Sequence, residues 1–216
     1  MKLGIISPVG PGHEKSYEKC KQSIDIAWQF NKGPFLDLDI ITMLDLKGEH
    51  GRSKKRNDGI LLANENNCDW LFFLDADDLM TPEAFDAVSQ YIKKYDAIWG
   101  NICEMPYGDF SRAKLRENQL ISTENFQDIL NVDPFYTLQM GHFVKTNIAL
   151  EIGFDTSMDV GEDFKYYLEV CSRYNFIKCQ EIFFINQRGN HSSGPRSANG
   201  REWRNSVESE IAKYNT

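Results

Sequence analysis

Residues 70–78 read Trp-Leu-Phe-Phe-Leu-Asp-Ala-Asp-Asp, five apolar side chains in a row followed by three carboxylates. An uninterrupted apolar run of this length, bounded by acid and then by Thr81-Pro82, predicts a strand buried on both faces, as in a mostly parallel sheet. Asp75, Asp77 and Asp78 then stand at its carboxyl end, which in open α/β sheets faces the ligand crevice. Carboxylates gathered there without a cation would repel one another and have raised pKa values. A divalent metal is the simplest relief.

The remainder of the chain alternates in the same way. Residues 3–7 (LGIIS), 37–44 (DLDIITML), 96–105 (DAIWGNICEM) and 176–188 (FIKCQEIFFINQR) predict further strands. Tyr17, Cys20, Ile24, Ala27 and Trp28 recur at helical spacing, and residues 53–66 predict a helix with Ile60, Leu61 and Ala63 inward. Thr81 is the expected N-cap of a helix whose apolar face is Phe85, Val88, Tyr91, Ile92 and Tyr95, with Pro82 at its first position and Glu83 near its positive end. Short helices are expected around 124–131 and 144–152, a longer one from Glu162, and a terminal helix from residue 201, while 106–123 reads as loop or weak hairpin. At 216 residues this is one α/β domain with a mostly parallel central sheet flanked by helices.

Composition narrows the partners. A net charge of -8 argues against a nucleic acid, whose binding rests on Lys and Arg neutralising phosphates. No apolar stretch approaches the roughly 20 residues that cross a bilayer, and the first residues lack a signal peptide's pattern, so a cytoplasmic location and no integral membrane segment are expected. The five cysteines, Cys20, Cys68, Cys103, Cys171 and Cys179, include no C-x-x-C pair and are expected as reduced, mostly buried thiols.

The segment GRSKKRNDGILLANENNCDWLFFLDADDLMTPEAF, residues 51–85, resembles the family 2 glycosyltransferases of the GT-A fold. The matching positions are Gly51, Arg56-Asn57, Ala63, Asp75, Asp77-Asp78 and Pro82. A second block, residues 141–174, resembles the acceptor-side half of that family through Gly153-Phe154-Asp155 and Glu162-Asp163. A third, QRGNHSSGPRS, resembles the Arg, His and Ser stretch after the last strand. The chain departs from the family in its first third, with SPVGPGHE and MLDLKGEHG where the family has Pro-Thr-Tyr-Asn and Asp-Asp-Gly-Ser.

The resemblance implies a single GT-A domain, with residues 1–105 as the nucleotide-sugar-binding half and 106–216 as the acceptor-binding half, which carries a mobile loop near its end. It implies a metal-dependent transfer of one sugar from a nucleoside-diphosphate donor, UDP being the expected nucleotide, to a carbohydrate or glycan hydroxyl in glycan or polysaccharide synthesis. A carboxylate set suits Mn2+ or Mg2+ as Lewis acid on the diphosphate. Asp77 is then expected on the metal, Asp75 on the ribose or a metal-bound water, and His191 in the metal shell or on the diphosphate. Arg56, Pro8, Asp45 and Arg188 are expected in the donor pocket, with Arg196 as a further phosphate contact. Asp163 matches the family's general base, which would give inversion in a single displacement. Trp99, Phe135 and Tyr136 are candidates to stack on an acceptor sugar or to pack the core. The alternatives are a phosphohydrolase of the haloacid dehalogenase type, which also ends an apolar strand in Asp-x-Asp, and a binding module without turnover. The chain is short for a stand-alone transferase and reads equally as a module of a larger polypeptide.

Overall fold

The computed structural model describes residues 1–188 and 200–215. Among them the order is β1 (Lys2–Val9), α1 (Glu14–Phe30), β2 (Asp37–Leu44), α2 (Gly51–Glu65), β3 (Trp70–Phe73), β4 (Leu79–Met80), α3 (Ala84–Ala87), β5 (Ala97–Trp99), β6 (Cys103–Pro106), β7 (Lys114–Leu115), α4 (Phe126–Asn131), β8 (His142–Lys145), α5 (Thr146–Ile152), α6 (Glu162–Arg173), β9 (Phe176–Lys178), β10 (Phe184–Arg188) and α7 (Gly200–Ala212). A six-stranded sheet runs β2-β1-β3-β8-β5-β9, parallel except for β8, which is antiparallel to both neighbours. A second sheet runs β4-β10-β6-β7.

The apolar run of residues 70–74 behaves as its composition requires. Because strand side chains alternate, Leu71 and Phe73 enter one core with α2, α5, α6 and α7. Trp70, Phe72 and Leu74 enter the other with α1 and Phe85. All five are buried. Helix α2 lies close on β1 because residue 59 is glycine: a Cβ there would stand 2.6 Å from Ile6 Cγ2. All five cysteines are buried and free, as expected.

Several elements differ from the sequence expectation, mostly through contacts with residues remote in the chain. Residues 96–105 form two strands in different sheets, because the chain turns at Gly100, where a Cβ would lie 2.6 Å from the Glu181 carbonyl oxygen. Residues 176–188 likewise divide into β9 and β10. Strand β8 was not expected; it includes His142 and follows Gly141, whose φ of +102° and contact with the Phe184 ring leave no room for a side chain. Thr81 does not cap a helix: its Oγ1 donates to the Ile182 carbonyl, 2.6 Å away, and its N–H to Phe183. Beyond it the chain makes only the single turn α3, with Glu83 at its start, and a 3-10 turn at Val88–Gln90. Phe85, Val88, Ile92 and Tyr95 are nevertheless buried. In α2, Leu61 is exposed, and the inward row is Arg56, Gly59, Ile60 and Ala63, the spacing of one helical face.

Candidate functional site

The acidic turn after β3 is built by three elements. Asp78 N–H donates to the Asp75 carbonyl at 2.9 Å, closing the turn. From β10, Asn186 Nδ2 donates to both Asp78 carboxylate oxygens at 2.9 and 3.1 Å, Gln187 N–H donates to Asp78 Oδ1 at 3.1 Å, and Gln187 Nε2 donates to the Asp77 carbonyl at 2.7 Å. From α1, Ser23 Oγ accepts the Met80 N–H at 2.9 Å. Asp77 and Asp78 are buried. Asp78 is thus a structural anchor: a buried carboxylate needs charge-assisted donors, and β10 supplies them.

Asp75 is joined to the other half of the chain through α2. Arg56, 2% exposed, donates from Nη2 to Asp75 Oδ1 at 2.7 Å and from Nη1 to Glu162 Oε1 at 3.4 Å. One turn earlier, Arg52 grips the same Glu162 carboxylate from two nitrogens, Nε on Oε1 and Nη2 on Oε2. Glu162 is itself 1% exposed and opens α6. Two guanidiniums four residues apart face one way on a helix, so α2 presents a fork that holds both carboxylates. The next residue in α6 is the half-buried Asp163, whose Oδ1 accepts the Phe164 N–H at 2.8 Å. Burial and the Glu162 charge push its carboxyl above the usual carboxylate range, against the opposing pull of Arg52, Arg56 and the Phe164 N–H.

Beneath this network lies an aromatic floor. His142 stacks on Trp99 with ring centres 4.4 Å apart and is flanked by Phe73, Tyr166 and Tyr167. Burial, reinforced by Arg56, pulls its imidazole down to about 3. Trp99 is therefore core, not a sugar platform. Phe135 is 38% exposed and lies against Arg116 and Arg188.

The remaining expected residues are spread around this centre. Asp45 takes the N–H groups of Glu49, His50 and Gly51 at 2.9 to 3.0 Å, holding the turn before α2. Burial pushes its carboxyl up, but those three N–H groups outweigh it and leave it below the usual range. Pro8 lies near the carboxyl end of β1, opposite Met43 of β2. Arg188 ends β10 and donates through Nε to Glu104 Oε2 at 2.6 Å. His191 and Arg196, and the loop that carries them, lie outside the described residues. Arg52, Asn186 and Gln187 had no expected role. The i, i+4 spacing of Arg52 and Arg56 was the available signal for the first, and none existed for the other two.

Among the described residues, no three His, Cys, Asp or Glu side chains are arranged to hold a metal ion. The donor set still suits a hard cation of the Mg2+ type, which is bound by one or two carboxylates together with substrate phosphates and waters. Asp75 and Asp77, two positions apart on the acidic turn, offer that minimum.

The comparisons with known proteins agree with this architecture. Structures of S. aureus TarS 1-349 are similar to the chain at 16% sequence identity: the UDP-GlcNAc complex with a TM-score of 0.66 over 92% of this chain, and the UDP complex with 0.63 over 98%. The chain spans 62% and 64% of those two structures, and so less than two thirds of TarS 1-349. A197 from STIV is similar at 14% identity and a TM-score of 0.51, with 89% of this chain and 97% of that one covered. At such identities the likeness is one of fold. Among curated proteins no sequence matches. The family model for glycosyl transferase family 2 matches residues 22–151, more than half of the 216 residues, from within α1 through the acidic turn into α5, and the chain accordingly belongs to that family.

Proposed function

We propose that this domain transfers a sugar from a nucleoside-diphosphate donor to a carbohydrate hydroxyl, with Asp163 as general base and the acidic turn on the donor side. The observation that carries the reading is the Asp75–Arg56–Glu162–Arg52 chain of ion pairs, buried at Arg56 and Glu162, which ties the acidic turn to the start of α6, where Asp163 stands. Leaving-group and base chemistry must flank one anomeric carbon, and this network fixes their separation. UDP as the nucleotide is supported by the TarS structures, which hold UDP and UDP-GlcNAc on a similar fold.

In this reading, Asp75 and Asp77 would hold a Mn2+ or Mg2+ ion, which would supply Lewis-acid neutralisation of charge on the diphosphate. Asp78 keeps the turn closed through Asn186 and Gln187. Asp163 accepts the proton of the acceptor hydroxyl as that oxygen attacks the anomeric carbon from the face opposite the leaving diphosphate, which inverts the configuration. A raised carboxyl pKa strengthens the base. Arg52 and Arg56 hold Glu162 in place, so that Asp163 is oriented by the first turn of α6.

The test is release of UDP from a panel of UDP-sugars, with and without Mn2+, by the protein and by Asp163→Asn. Mn2+-dependent release that disappears in the variant, while UDP binding persists, is the expected result. Release of inorganic phosphate in place of UDP would replace the transferase by a phosphohydrolase. Proton NMR of the sugar product then reads its anomeric configuration.

A further inference from the structure

On the side of β10 away from β4, the second sheet gathers a group of charges that the acidic turn does not use. Glu104 of β6 accepts through one oxygen, Oε2, from both Arg116 (Nε 3.3 Å, Nη2 3.1 Å) and Arg188 (Nε 2.6 Å). Two guanidiniums thus share one carboxylate. Neighbouring cations each have a carboxylate of their own: Arg112 has Asp109, Lys114 has Glu117, and Arg204 has both Asp133 and Glu208. Lys178, wholly buried, donates to the Gly100 carbonyl at 3.0 Å, and burial pulls its ammonium down to about 7, so the excess rests on the two guanidiniums. In a chain of net charge -8, this is a local excess of positive charge.

The group is also rigid and partly open. Arg116, 7% exposed, donates from Nη1 to the Phe135 carbonyl at 2.6 Å and covers the Phe135 ring at 4.0 Å. Arg188 lies 5.5 Å from the same ring and is 43% exposed, while Phe135 is 38% exposed. Burial and the Arg188 charge together hold the Arg116 guanidinium below its ordinary pKa, as expected for two cations that share one carboxylate among the described residues. An apolar ring beside an accessible guanidinium is a surface that accepts a sugar face and an oxyanion together. Arg188 lies two residues beyond Asn186, roughly 7 Å along the strand, so a ligand here borders the acidic turn without occupying it.

We propose that Phe135, Arg188 and Arg116 form an acceptor subsite for a sugar that carries an oxyanion, a carboxylate or a phosphate. The acceptor assignment rests on the transferase reading above. It is favoured over the donor diphosphate because Glu104 of β6 and Arg116, just beyond β7, lie across β10 from β4, the strand that follows the acidic turn.

The test is an NMR-detected titration with N-acetylglucosamine 6-phosphate and glucuronate, against N-acetylglucosamine and glucose, with UDP titrated in parallel. The oxyanion sugars should bind at least tenfold tighter than their neutral parents, weaken as salt rises, and lose that advantage in Arg188→Gln. Phe135→Leu should weaken both classes alike, and UDP binding should stay within about twofold in that variant. Equal binding of charged and neutral sugars would overturn the subsite. Loss of UDP affinity in Arg188→Gln, with the oxyanion sugars unaffected, would assign the cations to the donor instead. Sugar-phosphate binding without any UDP binding would keep the subsite and sink the transferase reading, so the two fail separately.

Discussion

Asp163 is held at odds with its own stability. Its folded pKa is raised, so the protein is most favoured where this carboxyl is protonated, and that contribution is lost as pH rises through the folded value. Asp163→Asn should therefore raise the melting temperature at neutral pH, with the difference fading below about pH 4, the unfolded carboxyl's range. The same substitution should lower transfer roughly a hundred- to ten-thousand-fold and leave donor binding intact. A variant that loses both transfer and folding would place Asp163 among structural groups. His142 has the opposite linkage. Its folded pKa is depressed from 6.5 to about 3, so its contribution is complete above 6.5 and is lost as pH falls toward 3. His142→Phe, which keeps a ring against Trp99, should flatten the acid limb of a stability-against-pH curve between those values; an unchanged limb would show that other groups drive it. Asp75, Asp77 and Asp78 could be found in the sequence because carboxylates at the end of an apolar run contradict their surroundings. Arg52 was hidden by its company: in Arg52-Ser-Lys-Lys-Arg56 a guanidinium that grips a buried carboxylate looks like one more solvated charge.

At the scale of elements, α2 and α6 are coupled by charge. Glu162 and Arg56 are both almost wholly buried, and removing one partner leaves the other desolvated and unmatched. Glu162→Gln should cost on the order of 3 to 5 kcal/mol by denaturant unfolding. The cost should shrink when Arg52→Met is added, because the two guanidiniums then no longer crowd an uncharged amide. Additive losses in that cycle would show that Arg52 and Glu162 act independently. The long helices and the parallel strands were legible because their periodicity extends over many residues. The short strands were not. Residues 96–105 and 176–188 are each apolar enough to read as one strand, yet each crosses from one sheet to the other, and the turn is dictated by a contact between Gly100 and Glu181 that is remote in sequence. Thr81 had the residue type of a cap but was drawn to the carbonyl of Ile182, a partner that only the second sheet brings near.

At the scale of the whole molecule, the fold is a parallel sheet interrupted by one antiparallel strand, with a small second sheet that closes over its carboxyl end. The first sheet delivers the acidic turn, and the second clamps it through Asn186 and Gln187 and carries the Arg116–Glu104–Arg188 cluster. No described helix is long and apolar enough to cross a membrane. The class of fold and the acidic turn were readable from residues 51–85, while the clamp and the cation cluster depend on β6, β7 and β10 meeting in a sheet that no local pattern announces. The central claim is that the acidic turn binds a nucleoside diphosphate through a divalent cation. Calorimetric titration of the protein and of Asp77→Ala with UDP, GDP, dTDP and CDP, each with and without Mn2+, tests it most directly. Selective, Mn2+-dependent binding of one nucleotide, UDP first among them, that is lost in Asp77→Ala is the expected outcome; binding that ignores Mn2+ and survives the substitution would contradict it.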